Sequence, residues 1–76
     1  MKFKAALFFN DAIAFYNVYL LQDDFCKAKL HEYSGPLTPP PELVELKRID
    51  LVWTSDCKHQ DLVKELGAAI DQRIFA

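Results

Sequence analysis

Lys58-His59-Gln60-Asp61-Leu62-Val63-Lys64-Glu65-Leu66-Gly67-Ala68-Ala69-Ile70-Asp71-Gln72-Arg73-Ile74 is the stretch that decides the fold class. Leu62, Leu66, Ala69 and Ile70 recur at helical spacing, joined by Val63 and Ile74. At about 100° per residue they fill one stripe, while Lys64, Ala68, Asp71 and Gln72 fill the opposite side. The pattern predicts an amphipathic helix over 58–74, with its N-cap at Asp56 or Ser55. Gly67 lies inside it, where glycine costs about 1 kcal/mol relative to alanine. Gly67-Ala68-Ala69 would let another helix or the sheet approach closely, or the glycine is simply tolerated there; the sequence favours neither reading.

Upstream of this helix the period changes from helical to alternating. Phe3, Ala5, Leu7 and Phe9 share one face of a strand over 2–9, with Lys2 and Lys4 opposite. Asn10-Asp11 reads as a turn. Residues 12–21 are rich in Ile, Phe, Tyr and Val and apolar on both sides, which predicts a strand that is central in its sheet or covered on both faces. A helix over 5–21 is the competing reading, since no Gly or Pro interrupts it. After the turn signal Asp23-Asp24, Phe25 to Tyr33 alternates again, with Cys26, Ala28 and Leu30 against Lys27, Lys29 and His31. Leu46 to Trp53 is the last strand, with Ile49, Leu51 and Trp53 on one face and Arg48 and Asp50 on the other. The whole chain, 1–76, is therefore expected to be one α+β domain: a three- or four-stranded, mainly antiparallel sheet packed by one C-terminal amphipathic helix.

All four prolines fall in Ser34-Gly35-Pro36-Leu37-Thr38-Pro39-Pro40-Pro41. Pro36 to Pro39 spells the P-x-x-P signature of SH3 and WW ligands, but short proline-rich stretches act more often as rigid connectors.

Composition bounds the function. A chain of 76 residues buries only ~60% of its unfolded surface, yet 51% of this one is hydrophobic, with six Phe, three Tyr and one Trp. So much apolar surface suggests a second chain against it, most simply another copy of itself. Phe3, Phe8, Phe9, Phe15, Tyr19 and Trp53 are the large residues expected at such an interface. Nine basic and eleven acidic residues give a net charge of -2, and the basic ones are scattered along the chain. No nucleic-acid partner and no membrane are therefore expected. The apolar run after Lys4 ends at Asn10, too short for a signal peptide, and a cytoplasmic location is expected.

Motifs that carry chemistry are sparse. Cys26, His31, Cys57 and His59 are zinc-ligand types, but none forms the tight pairs that structural sites use. Cys57 lies near a helix start, where a thiolate is favoured, yet His59 two residues on would face elsewhere. No catalytic residue, metal site or cofactor is expected, and two thiols with no C-x-x-C spacing suit a reducing compartment.

The segment from Leu30-His31-Glu32-Tyr33-Ser34-Gly35 through the prolines to Glu42-Leu43-Val44-Glu45-Leu46-Lys47-Arg48-Ile49 resembles the second half of Nudix hydrolase domains. The resemblance lies in a strand leading to a Gly, a Pro-containing loop, a Glu-apolar-x-Glu segment, a short strand and a C-terminal helix. It departs from that family where the chemistry resides. Six residues after Gly35 stands Pro41, six after Gly67 stands Arg73, and no Arg-Glu-x-x-Glu-Glu run occurs. The resemblance thus implies a half-domain without the metal-binding box, in which Glu42, Glu45 and Arg48 would border a nucleotide or phosphorylated ligand, or the chain would complement a partner. Against it stands the reading carried by composition, a non-catalytic protein-protein interaction module acting as a homo-oligomer.

Overall fold

The computed structural model describes residues 1–74. Five strands run β1 (Lys2–Phe9), β2 (Ala12–Gln22), β3 (Phe25–Tyr33), β4 (Leu43–Ile49) and β5 (Val52–Thr54), followed by α1 (Gln60–Ile74). They form one sheet in sequence order, each strand antiparallel to the next. The expected α+β architecture is present, and the helix reading of residues 5–21 is not. Eleven consecutive residues of β2 are rich in β-branched and aromatic types, and hairpin pairing on both sides satisfies their backbone groups.

The helix lies on one face and touches β1 and β5, the two edges of the sheet, as well as β4. Flat, those edges would stand about 19 Å apart, wider than a helix with its side chains. The sheet therefore curls around α1. Phe3, Ala5 and Leu7 from β1, Ala14, Tyr16 and Val18 from β2, and Cys26 and Ala28 from β3 face inward. Val44, Leu46 and Trp53 complete the sheet side of the core, and Leu62, Val63, Leu66 and Ile70 complete the helix side. This is the stripe read from sequence, with Ala69 and Ile74 half-buried at its margin.

Three sequence expectations are corrected. The stretch 46–53 is two strands, because Asp50 and Leu51 both have positive φ, 52° and 68°, and fold the chain back on itself. The sheet thus has five strands rather than three or four. Ile49 and Leu51 do not share a face with Trp53: the first two are exposed and Trp53 is core. Finally, the helix begins at Gln60, two residues later than the expected Lys58. The first helical bond outside the regular run goes from the Val63 amide to the His59 carbonyl, which makes His59 the capping position. Ser55 instead orders the approach, its Oγ accepting from the Cys57 amide at 3.2 Å, while Gln60 Nε2 donates to the Cys57 carbonyl at 2.6 Å.

Two-residue hairpin turns with both centres at positive φ favour Asn-Gly or Asp-Gly. Asn10-Asp11 meets half of that preference, and Asp50-Leu51 violates it with an exposed leucine. Leu51→Gly is expected to raise stability by about 0.5–1 kcal/mol, because the left-handed region costs an L side chain more than glycine loses in chain entropy. A thermal melt reads this as a gain of a few degrees. An unchanged or lower midpoint would mean that Leu51 makes contacts worth more than its strain.

The proline segment is a tethered connector. The Tyr16 hydroxyl donates to the Pro41 carbonyl at 2.6 Å, Asn10 Nδ2 to Thr38 O at 3.0 Å, and the Leu30 amide to Glu42 O at 2.8 Å. Gly35 is required by closeness: a Cβ there would collide with the Tyr33 ring and meet Ala12 Cβ at 2.8 Å.

Candidate functional site

The inner face of the sheet is occupied by the helix; among the described residues no element covers the outer face. Its occupants follow from strand parity. On β1 these are Lys2, Lys4, Ala6 and Phe8; on β2, Ile13, Phe15, Asn17 and Tyr19; on β3, Phe25, Lys27 and Lys29; on β4, Leu43, Glu45, Lys47 and Ile49; on β5, Val52 and Thr54. Antiparallel register then sets them in rows across the strands. Lys4, Asn17, Lys29 and Leu43 form one row, and Lys2, Tyr19, Lys27 and Glu45 the next. Phe25 and Lys47 form a third toward one end, and Ala6, Phe15 and Glu32 a fourth toward the other. A β-bulge at His31 brings Glu32 opposite Phe15. Two contacts confirm the shared face: the Lys2 ammonium sits 5.6 Å from the Tyr19 ring centroid, and Lys27 Nζ lies 3.8 Å from Glu45 Oε2.

The charge on this face differs from that of the chain. Lys2, Lys4, Lys27, Lys29 and Lys47 stand against Glu32 and Glu45, a net of +3. The remaining four cations and nine carboxylates carry -5, and the two together make the chain's -2. Scattered in sequence, five of the nine cationic side chains are gathered by the sheet onto one surface. The sequence pattern held this signal as lysines at alternating positions, 2 and 4 and then 27 and 29, but only register places the two pairs beside each other.

The residues expected at an interface separate into three environments. Phe3 and Trp53 are core residues at 7% and 5% exposure, so their apolar area is already covered within the chain. Arg73 stacks over the Phe3 ring at 5.4 Å, and Trp53 Nε1 donates to Asp71 Oδ1 at 3.0 Å. Phe9 turns inward, edge-on to Tyr33 and to His59. Phe15 and Tyr19 lie half-exposed on the outer face, and Phe8 at its end is 67% exposed.

Glu42, Glu45 and Arg48 do not converge. Glu42 precedes β4, with its carbonyl taken by Leu30. Glu45 points outward to Lys27, while Arg48, three residues on, has the opposite parity and pairs in register with Trp53. A ligand touching Glu45 on one face of the sheet is separated from Arg48 by the sheet itself. Beside β4 there is an open cleft of about 440 Å³, lined by Pro41, Leu43, Val44, Glu45 and residues 55–59. Among the described residues no group of three His, Cys, Asp or Glu side chains comes together. Both thiols are free, Cys26 in the core and Cys57 at its margin. No described helix is long and apolar enough to cross a membrane.

Two buried groups link pH to stability. Burial pushes the Cys26 thiol from 9.0 up to about 11, and burial, aided by the neighbouring Cys57, pushes the Tyr16 hydroxyl up as well. Each holds its proton more tightly folded than unfolded, so its contribution is complete below its unfolded pKa and is lost as pH rises through the folded one. Stability is expected to be flat around pH 8 and to fall by on the order of 2 kcal/mol between about pH 9 and 11 from Cys26 alone. Urea midpoints across that range test this, and Cys26→Ala should flatten part of the decline. A midpoint that stays level to pH 11 would show that neither group is held protonated by the core.

No family model, curated protein or solved structure matches the chain.

Proposed function

We propose that this chain is a non-catalytic binding module whose working surface is the uncovered face of its sheet. The charge separation carries the reading: a face at +3 on a molecule whose remainder is at -5. Wet faces of antiparallel sheets are ordinary. Segregation of charge within an acidic chain is not needed for folding. A surface of this kind suits an anionic partner. The test is retention on immobilised heparin at pH 7 and low salt. The acidic chain is expected to be retained, Lys4→Glu/Lys29→Glu to elute early, and Lys64→Glu on the helix to behave like the parent. Flow-through of the parent chain would end the reading.

Self-association is a second reading, favoured by β1. This strand is an eight-residue edge without proline, and such edges invite pairing. Pairing two β1 strands would set the cationic faces side by side, whereas face-to-face packing would press +3 against +3. Light scattering behind size-exclusion chromatography decides it. A clean 8.8 kDa monomer at high concentration removes the homo-oligomer.

A further inference from the structure

Against the expectation drawn from basic residues scattered in sequence, we infer that the uncovered sheet face, where register gathers them, takes a single-stranded nucleic acid, running across the strands with its phosphates on the lysines and a base on Tyr19. The inference rests on the reading of this face as a working surface and names its partner. Three observations carry it. Lys2 and Lys4 on β1 face Lys27 and Lys29 on β3, with β2 between. From strand spacing, these four ammonium stems stand about 7 Å apart along a strand and about 10 Å apart across it. The floor between them is Tyr19 and Asn17, a half-exposed ring and an amide. Such a platform, an aromatic face framed by cations, binds single strands through stacking and phosphate neutralisation, without reading sequence.

The carboxylates set the direction. Asp11 lies in the turn at one end of the strands, and Asp23, Asp24 and Asp50 lie in the turns at the other. A strand laid along β2 would run into both acidic ends. One laid across β1, β2 and β3 follows the Lys4–Asn17–Lys29 row, which contains no carboxylate, and the Lys2–Tyr19–Lys27 row, whose one carboxylate, Glu45, lies beyond Lys27 on β4 and is paired with it at 3.8 Å. Lys2 already lies over Tyr19, where it occupies the place of a base and can swing aside to a phosphate. A duplex is disfavoured, because its bases are stacked away from the ring. A lipid surface is disfavoured because the exposed apolar side chains of this face are split between Phe8 with Ile13 at one end of β1 and β2, Ile49 with Val52 at the opposite end of β4 and β5, and Leu43 on β4, and form no single wedge.

Fluorescence anisotropy of the full chain with labelled dT20 and rU20, with a 20-base-pair duplex and phosphatidylserine vesicles alongside, tests the inference. Binding to the single strands at 50 mM salt is expected, stronger than to the duplex or vesicles. With about four phosphates neutralised, affinity should fall about fifty-fold between 50 and 200 mM salt. Lys4→Glu/Lys29→Glu should weaken it about tenfold or more, and Tyr19→Ala about tenfold, with Tyr19→Phe retaining parent affinity. Lys64→Glu is the neutral control, and Trp53 emission verifies that each variant is folded. Equal affinity for duplex, a preference for vesicles, or indifference to Tyr19→Ala would overturn the inference. If heparin is retained but no oligonucleotide binds, the partner is wrong and the surface stands. If neither binds, both fail.

Discussion

Tyr16→Ala is expected to cost about 3–5 kcal/mol of folding stability, in line with removing a fully buried aromatic side chain. A domain of this length is stable by only about 4–11 kcal/mol, so the variant should populate unfolded chain at room temperature. Tyr16 is the largest fully buried side chain among the described residues, and it stands near the middle of β2 between β1 and β3. Its ring fills the core and its hydroxyl reaches out to the Pro41 carbonyl, so one residue holds both the sheet and the proline segment. Tyr16→Phe separates the two roles. It keeps the ring, deletes the donor, and is expected to cost about 1–2 kcal/mol by leaving the carbonyl unpaired. Urea unfolding of both variants measures the difference. If Tyr16→Phe loses as much as Tyr16→Ala, the tether matters more than the ring.

Gly67→Val is expected to cost about 2–3 kcal/mol, although valine in a helix is favoured over glycine by propensity alone. A Cβ at position 67 would lie 3.1 Å from Trp53 Cβ and 3.7 Å from its Cγ and Cδ1. Alanine places that one atom and regains about 1 kcal/mol of helix propensity, so Gly67→Ala should come out near neutral. Valine adds two stiff methyl groups where Trp53 already stands, and the helix must lift from β5. The Trp53–Asp71 hydrogen bond spans that same contact, so its loss should accompany the shift. Denaturant midpoints give the cost, and a red shift of Trp53 emission gives the mechanism. A stabilised Gly67→Val would show that β5, only three residues long, yields to the helix without penalty.

What could be read in the chain followed from short-range periodicity. The inward sets of β1 and β3 and the helix stripe were legible because each belongs to one element with one period. The Asp50-Leu51 turn was not, since leucine is a poor guide to positive φ and the apolar alternation runs through it. The helix start was misplaced for a related reason: Ser55 and Asp56 look like caps, but Ser55 is spent ordering the turn that precedes the helix. The supposed ligand trio failed on parity, because residues 45 and 48 of a strand lie on opposite faces.

By itself, the sequence of this protein determined its class: alternating segments that must pair, and one amphipathic helix that must cover them. Local periodicity is enough for that, because each element is driven separately to take its own apolar face out of water. Only the tertiary structure decided which surface is left for a partner. Phe3, Phe15, Tyr19 and Trp53 are alike as letters, yet the helix claims Phe3 and Trp53 and leaves Phe15 and Tyr19 on the wet side. Lys2 and Lys4 become neighbours of Lys27 and Lys29 through strand register, a long-range property set by two hairpins. A net charge of -2 describes the chain, and the fold divides it into +3 on one face and -5 elsewhere.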